Sequence, residues 1–212
     1  SGVRLALELT RITKTFGPVR ANDGISLRVE PGRLHAVLGE NGAGKSTLMK
    51  VLSGFQPPDD GHIALDGQPV PTGSAKAATL AGIGMLHQDP LVCLPFTVLE
   101  NYALGQDRTR HELREELVSA AATYGFDLDP DAVTRTLGVG ERQQLEILRL
   151  RSLGVKVLIL DEPPSGISAD QREKLFAALK RLDSEGLIVL FVSHKLEEVE
   201  MLCDVVSILR AG

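Results

Sequence analysis

Residues 39–46 read GENGAGKS, which matches the phosphate-binding pattern G-x-x-x-x-G-K-[ST] at every fixed position. The apolar run LHAVLG leads into this stretch, and STLMKVLSG, with helical spacing and a terminal glycine, follows it. A glycine-rich loop between a strand and a helix points backbone N–H groups and the positive end of the helix at phosphate oxygens. The motif therefore predicts a strand–loop–helix unit that holds the phosphates of a nucleotide.

The side chains of this motif have separate predicted roles. Lys45 reaches the β- and γ-phosphates, Ser46 ligates Mg²⁺ and Thr47 caps an α-phosphate oxygen. A glycine-rich turn with a chance lysine is the alternative, and the strand before and helix after the motif argue against it. Backbone contacts to the phosphates are expected from the loop itself, at Asn41, Gly42, Ala43 and Gly44.

A pair of carboxylates closes a second apolar run, VKVLILDEP, which has the unbroken apolar character of a central parallel strand. Asp161 is the candidate Mg²⁺ ligand, and Glu162 is the candidate group that orients or deprotonates the attacking water. Two solvated carboxylates at a strand end are the alternative. The presence of a phosphate loop in the same chain favours the metal and water roles.

The remaining pattern alternates strands with helices. VRLALEL, ISLRV, LIVLFVSH and DVVSIL predict strands, ADQREKLFAALKRLDSEG and KLEEVEMLC predict helices, and the chain from Thr97 to about Leu150 is mostly helical in pattern. This alternation indicates an α/β fold with a parallel sheet. We expect one domain over residues 1–212, with a core at 1–90 and 152–212 and a helical subdomain at about 95–151.

Composition narrows the functional classes. The net charge is -5 and no arm rich in Lys and Arg is present, which argues against nucleic-acid binding. No segment has the ~20 apolar residues that span a bilayer, and no signal peptide is visible, so a membrane role would run through a partner. Cys93 and Cys203 lack metal-ligand spacing and are expected to be free thiols in a reducing compartment.

Six ordered motifs between Phe16 and Gly212 resemble those of the nucleotide-binding domain of ATP-binding cassette transporters. In chain order they are KTFGPVRA, GENGAGKS, HQDP, LGVGERQQ, VLILDE and FVSHK. The resemblance implies a P-loop NTPase core, with a RecA-like parallel sheet and an antiparallel β subdomain, plus an inserted α-helical subdomain. It also implies that the domain binds ATP and Mg²⁺ and hydrolyses the ATP.

The resemblance assigns further residues. By itself Phe16 would be read as a core aromatic, but the family pattern places it on the adenine, with Val19 beside it. Gln88 would sense Mg²⁺ and the γ-phosphate, and His194 would hydrogen-bond the γ-phosphate, although a lone histidine at a strand end is commonly structural. The expected catalytic residues are therefore Lys45, Gln88, Glu162 and His194, with Ser46, Gln88 and Asp161 at the metal.

The stretch LGVGERQQ resembles the family's signature motif, written LSGGQ or, in one branch, LSVGE. That motif closes over ATP held by a second domain, so contacts in trans are expected from Gly138, Gly140 and Glu141. Gly138 replaces the serine whose hydroxyl donates to the γ-phosphate, a bond to a charged group worth roughly 1.5–3 kcal/mol. We expect this chain's own ATP site to be competent provided the partner's signature motif is intact, and the partner's site to close more weakly.

A second departure lies in DEPPSGIS, where many family members have DEPTSALD. Ser168 fills the position of an aspartate that couples the two ATP sites, and Pro164 fills the threonine position. The branch that imports sugars and nucleosides also often lacks this aspartate. The sequence therefore leaves the coupling between the sites open.

The closest resemblance is to ATPases that energise bacterial uptake of monosaccharides, nucleosides and related solutes. It implies a second such domain in the same polypeptide or as a homodimer, membrane permease subunits, and indirectly a solute-binding protein. The permease would be contacted by about residues 88–101, at the inner face of the cell membrane. The chain would be the N-terminal half of a tandem protein or a shortened form.

Two other functions remain as alternatives. A binding-only regulatory half is supported by Gly138 and opposed by the presence of Glu162. A soluble cassette protein acting on nucleic acid or ribosomes would favour a basic arm or linker, which the chain lacks. A kinase would need an acceptor-substrate lid and has no use for a signature helix between Gln88 and Asp161.

Overall fold

The computed structural model describes residues 6–16, 19–31, 34–38, 45–52, 54, 57–71, 73–87, 90, 92–161, 167–193 and 205–208. The chain divides into two compact units. The first comprises Ser1–Met85, Val155–Glu162 and Leu182–Gly212, and the second comprises Leu86–Gly154 and Pro163–Arg181. The domain boundaries drawn from the sequence, with a helical subdomain at about 95–151, stay a prediction.

Strands and helices alternate along the described chain as the sequence predicts. Strands β1 to β9 are, in order, Leu7–Phe16, Val19–Val29, His35–Leu38, Asp60–Leu65, Gln68–Pro69, Ile83–Leu86, Val157–Asp161, Ile188–Ser193 and Val205–Ile208. Helices α1 to α6 are Lys45–Leu52, Ala75–Leu80, Val98–Tyr102, Arg110–Tyr124, Val139–Ser152 and Ala169–Ser184, with a short 3-10 helix at Thr134–Thr136.

The strands form two sheets. One has five strands in the order β6-β7-β8-β3-β9, and its β7–β8, β8–β3 and β3–β9 pairs are parallel. The other has four strands in the order β2-β1-β4-β5, with antiparallel pairs. The predicted α/β class, with a parallel sheet and an antiparallel β part, is confirmed.

Helix α1 lies in the main core of the first unit. Leu48, Val51 and Leu52 on this helix are buried in one cluster with apolar residues of β1, β4, β7 and β8. The apolar run predicted as a central strand is β7, and its first four residues, 157–160, are all buried. Burial on both faces explains why the run lacks the alternation of a surface strand.

Two backbone features shape the antiparallel sheet. Gly61, on β4, has φ of +90°, and a Cβ there would lie 2.4 Å from the carbonyl oxygen of Arg11 on β1. Only glycine fits that approach. At the β4–β5 hairpin, Asp66 and Gly67 have φ of 54° and 77°, the left-handed pair that a two-residue hairpin loop requires.

Threonine and serine caps fix the helix starts in the second unit. Thr97 and Glu100 form a reciprocal capping box at the start of α3, and Thr109 Oγ1 accepts from the N–H of Glu112 at the start of α4. Helix α4 ends at Gly125, whose φ of 71° forms a left-handed cap. Within the described part of the chain, none of the helices has the length and apolarity that crossing a bilayer requires.

Candidate phosphate site and signature element

The candidate phosphate site lies at the carboxyl edge of the parallel sheet, where α1 begins. Strand β3 ends at Leu38 and α1 begins at Lys45, so positions 39–44 connect the strand end to the helix start. β3 lies between β8 and β9, so the strand that precedes the loop is paired on both sides. The strand and the helix predicted on either side of the motif are therefore present, with Lys45, Ser46 and Thr47 opening the helix.

Asp161 lies at the same edge of the sheet. It is the last residue of β7 and is half-buried, and it pairs with Val192 of β8 while Leu38 of β3 pairs with Ser193. Two strand spacings therefore separate the ends of β3 and β7, which is roughly 10 Å. A carboxylate and a helix N-terminus at one sheet edge fit a phosphate group together with a hard divalent cation.

Several candidate residues are only partly described or not described. Phe16 ends β1 and pairs with Val19, which opens β2, so the backbone places these two together at one hairpin. In the sequence, two further candidates directly follow described strand ends, one after Asp161 and one after Ser193. The candidates outside the described residues are Asn41, Gly42, Ala43, Gly44, Gln88, Glu162 and His194.

The signature element begins helix α5. Gly138 is the N-cap residue, with φ of -72° and ψ of 170°, and no side chain caps the helix. Its carbonyl oxygen accepts the first helical hydrogen bond, from the N–H of Arg142 at 3.0 Å. Among the described residues, no atom lies within 4 Å of a Cβ added to Gly138, so neither its backbone conformation nor its packing against them requires glycine.

Gly140, two residues further on, is a different case. A Cβ there would lie 2.7 Å from Oε1 of Gln171, near the start of α6. Ser168 begins that helix: its Oγ accepts from the N–H of Gln171 at 3.1 Å, and its carbonyl oxygen accepts from Arg172. The residue in the family's coupling-aspartate position is therefore a helix cap in this chain.

Other residues around the signature element were missed by the sequence reasoning. Arg142 Nε donates to the carbonyl oxygen of Leu137 at 3.1 Å, which ties down the residue before Gly138. Gln143 is 1% exposed, and its Nε2 donates to the carbonyl oxygen of His87, next to Gln88 in the sequence, at 3.3 Å. The sequence offered one sign of this role: Gln143 is a polar residue at a position where the helical pattern predicts burial.

A second polar network lies among α3, α4 and α5. The Glu116 carboxylate accepts hydrogen bonds from Tyr102 Oη, Ser152 Oγ and the Arg108 guanidinium. The hydrogen bond from Arg108, with the other two donors, lowers the pKa of Glu116 to about 2. Burial, with the bond to Glu116, raises the pKa of Tyr102 to about 12. These hydrogen bonds join α3, α4 and α5, and their partners are not among the candidate site residues.

A phosphate-loop helix and a neighbouring strand-end carboxylate on a parallel sheet define a P-loop nucleotide-binding protein. A profile described as ABC transporter matches residues 22–165, which is more than half of the chain. The chain belongs to the ABC transporter family.

The chain is similar to sugar import ATP-binding proteins. A ribose import ATP-binding protein of Corynebacterium glutamicum is 38% identical over 212 residues, covering 97% of this chain and 40% of the relative. An arabinose import ATP-binding protein of Burkholderia ambifaria is 40% identical over 217 residues, covering 98% and 42%. The chain therefore spans less than half the length of these relatives.

The fold matches solved cassette structures. A nucleotide-free ATP-binding cassette from an ABC transporter superposes with a TM-score of 0.85 at 25% identity, covering 98% of this chain and 88% of that one. The predicted P-loop NTPase fold is confirmed.

Proposed function

We propose that this chain is an ATP-binding and ATP-hydrolysing domain that energises uptake of a monosaccharide, nucleoside or related solute through a membrane permease. The observation that carries the proposal is the common sheet edge reached by the start of α1 and by Asp161. Two relatives are named as ribose and arabinose import ATP-binding proteins, which supports a sugar or related molecule as the solute.

The proposed ATP site combines charge with backbone donors. Phe16 and Val19 hold the adenine, and the loop from Asn41 to Gly44 cradles the phosphates with its N–H groups. Lys45 neutralises charge on the β- and γ-phosphates, and the N-terminus of α1 adds to this field. These groups act most strongly on the charge that develops in the transition state.

Hydrolysis is proposed to be in-line attack of water on the γ-phosphate. Glu162 holds the attacking water through its carboxylate, and His194 donates a hydrogen bond to the γ-phosphate oxygens. Ser46, Gln88 and Asp161 fit Mg²⁺ because each offers a side-chain oxygen, the ligand atom that this ion prefers. Bound there, the cation would supply positive charge that offsets the negative charge of the phosphates.

A second cassette domain is proposed to complete each site. The N-terminus of α5, with the N–H groups near Gly140 and Glu141, would face the γ-phosphate held by the partner domain. The missing hydroxyl at Gly138 removes a contact of roughly 1.5–3 kcal/mol, or about 10- to 150-fold. That loss falls on the partner's ATP, and this chain's own site stays competent provided the partner's signature motif is intact.

Membrane attachment is proposed to be indirect. Permease subunits would contact about residues 88–101, at the inner face of the cell membrane, and a solute-binding protein would act through the permease. Within this range Leu94 is 37% exposed and Phe96 is half-buried. Leu94 is therefore an exposed apolar side chain, close in sequence to the start of α3, against which a helix of the permease could pack.

The test is ATP hydrolysis with Mg²⁺ by the protein, compared with a Glu162→Gln variant, while a fluorescent ATP analogue reports binding. We expect hydrolysis to fall at least about a hundredfold in the variant with nucleotide affinity retained, because only the water-positioning group is lost. Wild-type protein that binds the analogue tightly without turnover would instead favour the regulatory alternative. Failure of the wild type to bind MgATP would overturn the proposal.

A further inference from the structure

The buried side chain of Asn101, on α3, holds the backbone of a neighbouring segment by hydrogen bonds. It is 1% exposed. Its Oδ1 accepts from the N–H of Cys93 at 2.9 Å, and its Nδ2 donates to the carbonyl oxygen of Cys93 at 2.9 Å and to Thr134 Oγ1 at 2.7 Å. The amide therefore binds both backbone groups of Cys93, as a neighbouring strand would, and reaches across to a second segment.

The two segments held by Asn101 also pair with each other. The N–H of Thr134 donates to the carbonyl oxygen of Phe96 at 2.8 Å, and that of Arg135 donates to the carbonyl oxygen of Leu94 at 3.0 Å. Thr97 and Val133 form an antiparallel bridge beside them. Residues 93–97 and 133–135 are therefore a short ribbon, with Asn101 bonded to both sides.

A hydrogen-bonded path continues from this ribbon into the signature element. The carbonyl oxygen of Thr134 accepts from the N–H of Leu137 at 3.0 Å. Leu137 is 6% exposed, and its own carbonyl oxygen accepts from Arg142 Nε at 3.1 Å. Gly138 follows directly as the N-cap of α5, so its position depends on a path that starts at Asn101.

We propose that Asn101 is a positioning residue for the signature element, acting through Thr134 and Leu137. The inference rests on the proposed function, in which that element closes over ATP on a second domain. Truncating Asn101 would leave Thr134 Oγ1 and the backbone groups of Cys93 without these partners. The N-terminus of α5 would then lose its defined position, while the chain's own phosphate loop would keep its structure.

The test uses the complete protein that contains this chain, with variants at both ends of one hydrogen bond. Asn101→Ala removes the amide, Thr134→Val removes only the acceptor hydroxyl with little change of shape, and Thr134→Ser keeps that hydroxyl. Glu116→Gln is the matched control. It weakens the separate Tyr102–Glu116–Ser152 network in the same unit and leaves the path to Gly138 untouched.

The kinetic readout separates positioning from stability. We expect kcat for ATP hydrolysis to fall roughly tenfold to a hundredfold in Asn101→Ala and Thr134→Val, because small misplacements of a site carry costs of this order. Thr134→Ser should restore the rate, and affinity for a fluorescent ATP analogue should stay unchanged in every variant. An equal fall in kcat for Glu116→Gln at a matched loss of thermal stability would overturn the proposal.

Hydrogen exchange provides a readout that does not depend on activity. Amides of residues 137–142 should exchange at least about tenfold faster in Asn101→Ala and at the wild-type rate in Glu116→Gln, because local opening sets these rates. Unchanged exchange in Asn101→Ala would overturn the positioning role. A wild-type protein without ATPase activity would count against the proposed function, and the exchange result would still decide the role of Asn101.

Discussion

The side-chain carboxamide of Gln171 occupies the space beside Gly140 that a larger residue would need. A Cβ on Gly140 would lie 2.7 Å from Oε1 and 2.8 Å from Cδ of Gln171. The second residue of α5 and the first turn of α6 therefore meet closely, and glycine permits the contact. The atoms in the way belong to the end of a flexible side chain, so the conflict is between two side chains and can be relieved.

Gly140→Ala should be slightly unfavourable with Gln171 present, because the Gln171 carboxamide must move aside, and favourable without it. In a Gln171→Ala background, the alanine should stabilise the protein by about 0.5–1 kcal/mol, because glycine inside a helix costs about that much. Urea unfolding of both single variants and the double variant measures this coupling. Additive effects would show that the two side chains do not compete for the space.

Gly138→Ser should be tolerated by the fold. The backbone is already that of an N-cap, nothing lies within 4 Å of the added Cβ, and Glu141 stands where a capping box needs it. Because glycine is itself an acceptable cap, stability should rise by only a few tenths of a kcal/mol, about the limit of urea unfolding. ATP turnover should rise by a larger factor if, as proposed, the new hydroxyl donates to the phosphate held by the partner domain. Unchanged turnover would argue against the trans contact.

His35 should make stability depend on pH near neutrality. This residue of β3 is 6% exposed, and burial lowers its pKa below the ordinary value of 6.5. The unfolded chain therefore binds the proton first, and stability is lost as pH falls through 6.5 towards the lower folded pKa. Urea unfolding between pH 8 and pH 5 should show a smaller fall for His35→Leu than for the wild type. If the stability of the two proteins falls equally with pH, His35 is not the source of the pH dependence.

Glu116 should contribute stability that acid removes. Its pKa is lowered to about 2 in the folded protein from an ordinary 4.5, so the contribution is complete above pH 4.5 and is lost as pH falls towards 2. Glu116→Gln should therefore be less stable than the wild type at pH 7, and the gap should narrow below pH 4.5. The measurement is the difference in free energy of unfolding at each pH. A difference between the two proteins that stays constant with pH would mean that the charge of the Glu116 carboxylate does not contribute to stability.

Patterns that act locally predicted much of the fold. Three kinds of local pattern lie where the sequence places them: the unbroken apolar run of β7, helix α1 before its glycine, and the helical patterns of α4, α5 and α6. Strand β1 was predicted to end at residue 9, but it continues to Phe16 through bulges, because pairing with β2 and β4 outweighs the polar residues in its second half. The predicted helix KLEEVEMLC lies outside the described residues.

The contacts around the signature element could not be predicted, because they join residues distant in the sequence. Asn101 and Thr134 are 33 positions apart, and each is an ordinary polar residue in a helical stretch. The approach of Gln171 to Gly140 depends on how two helices pack. Motif spacing identified Gly138 as a departure, but only the backbone showed that the position accepts a side chain.

The most direct test of the account is complementation between two inactive variants of the domain. Glu162→Gln disables the chain's own site and keeps its signature element. Gly138→Asp keeps its own site and a good helix cap, but in the proposed pair it would place a carboxylate against the partner's phosphate. If the signature element acts in trans, mixing the two should restore ATP hydrolysis, because one site of the mixed pair has both intact parts. An active wild type, with a mixture no more active than its separate components, would contradict the account.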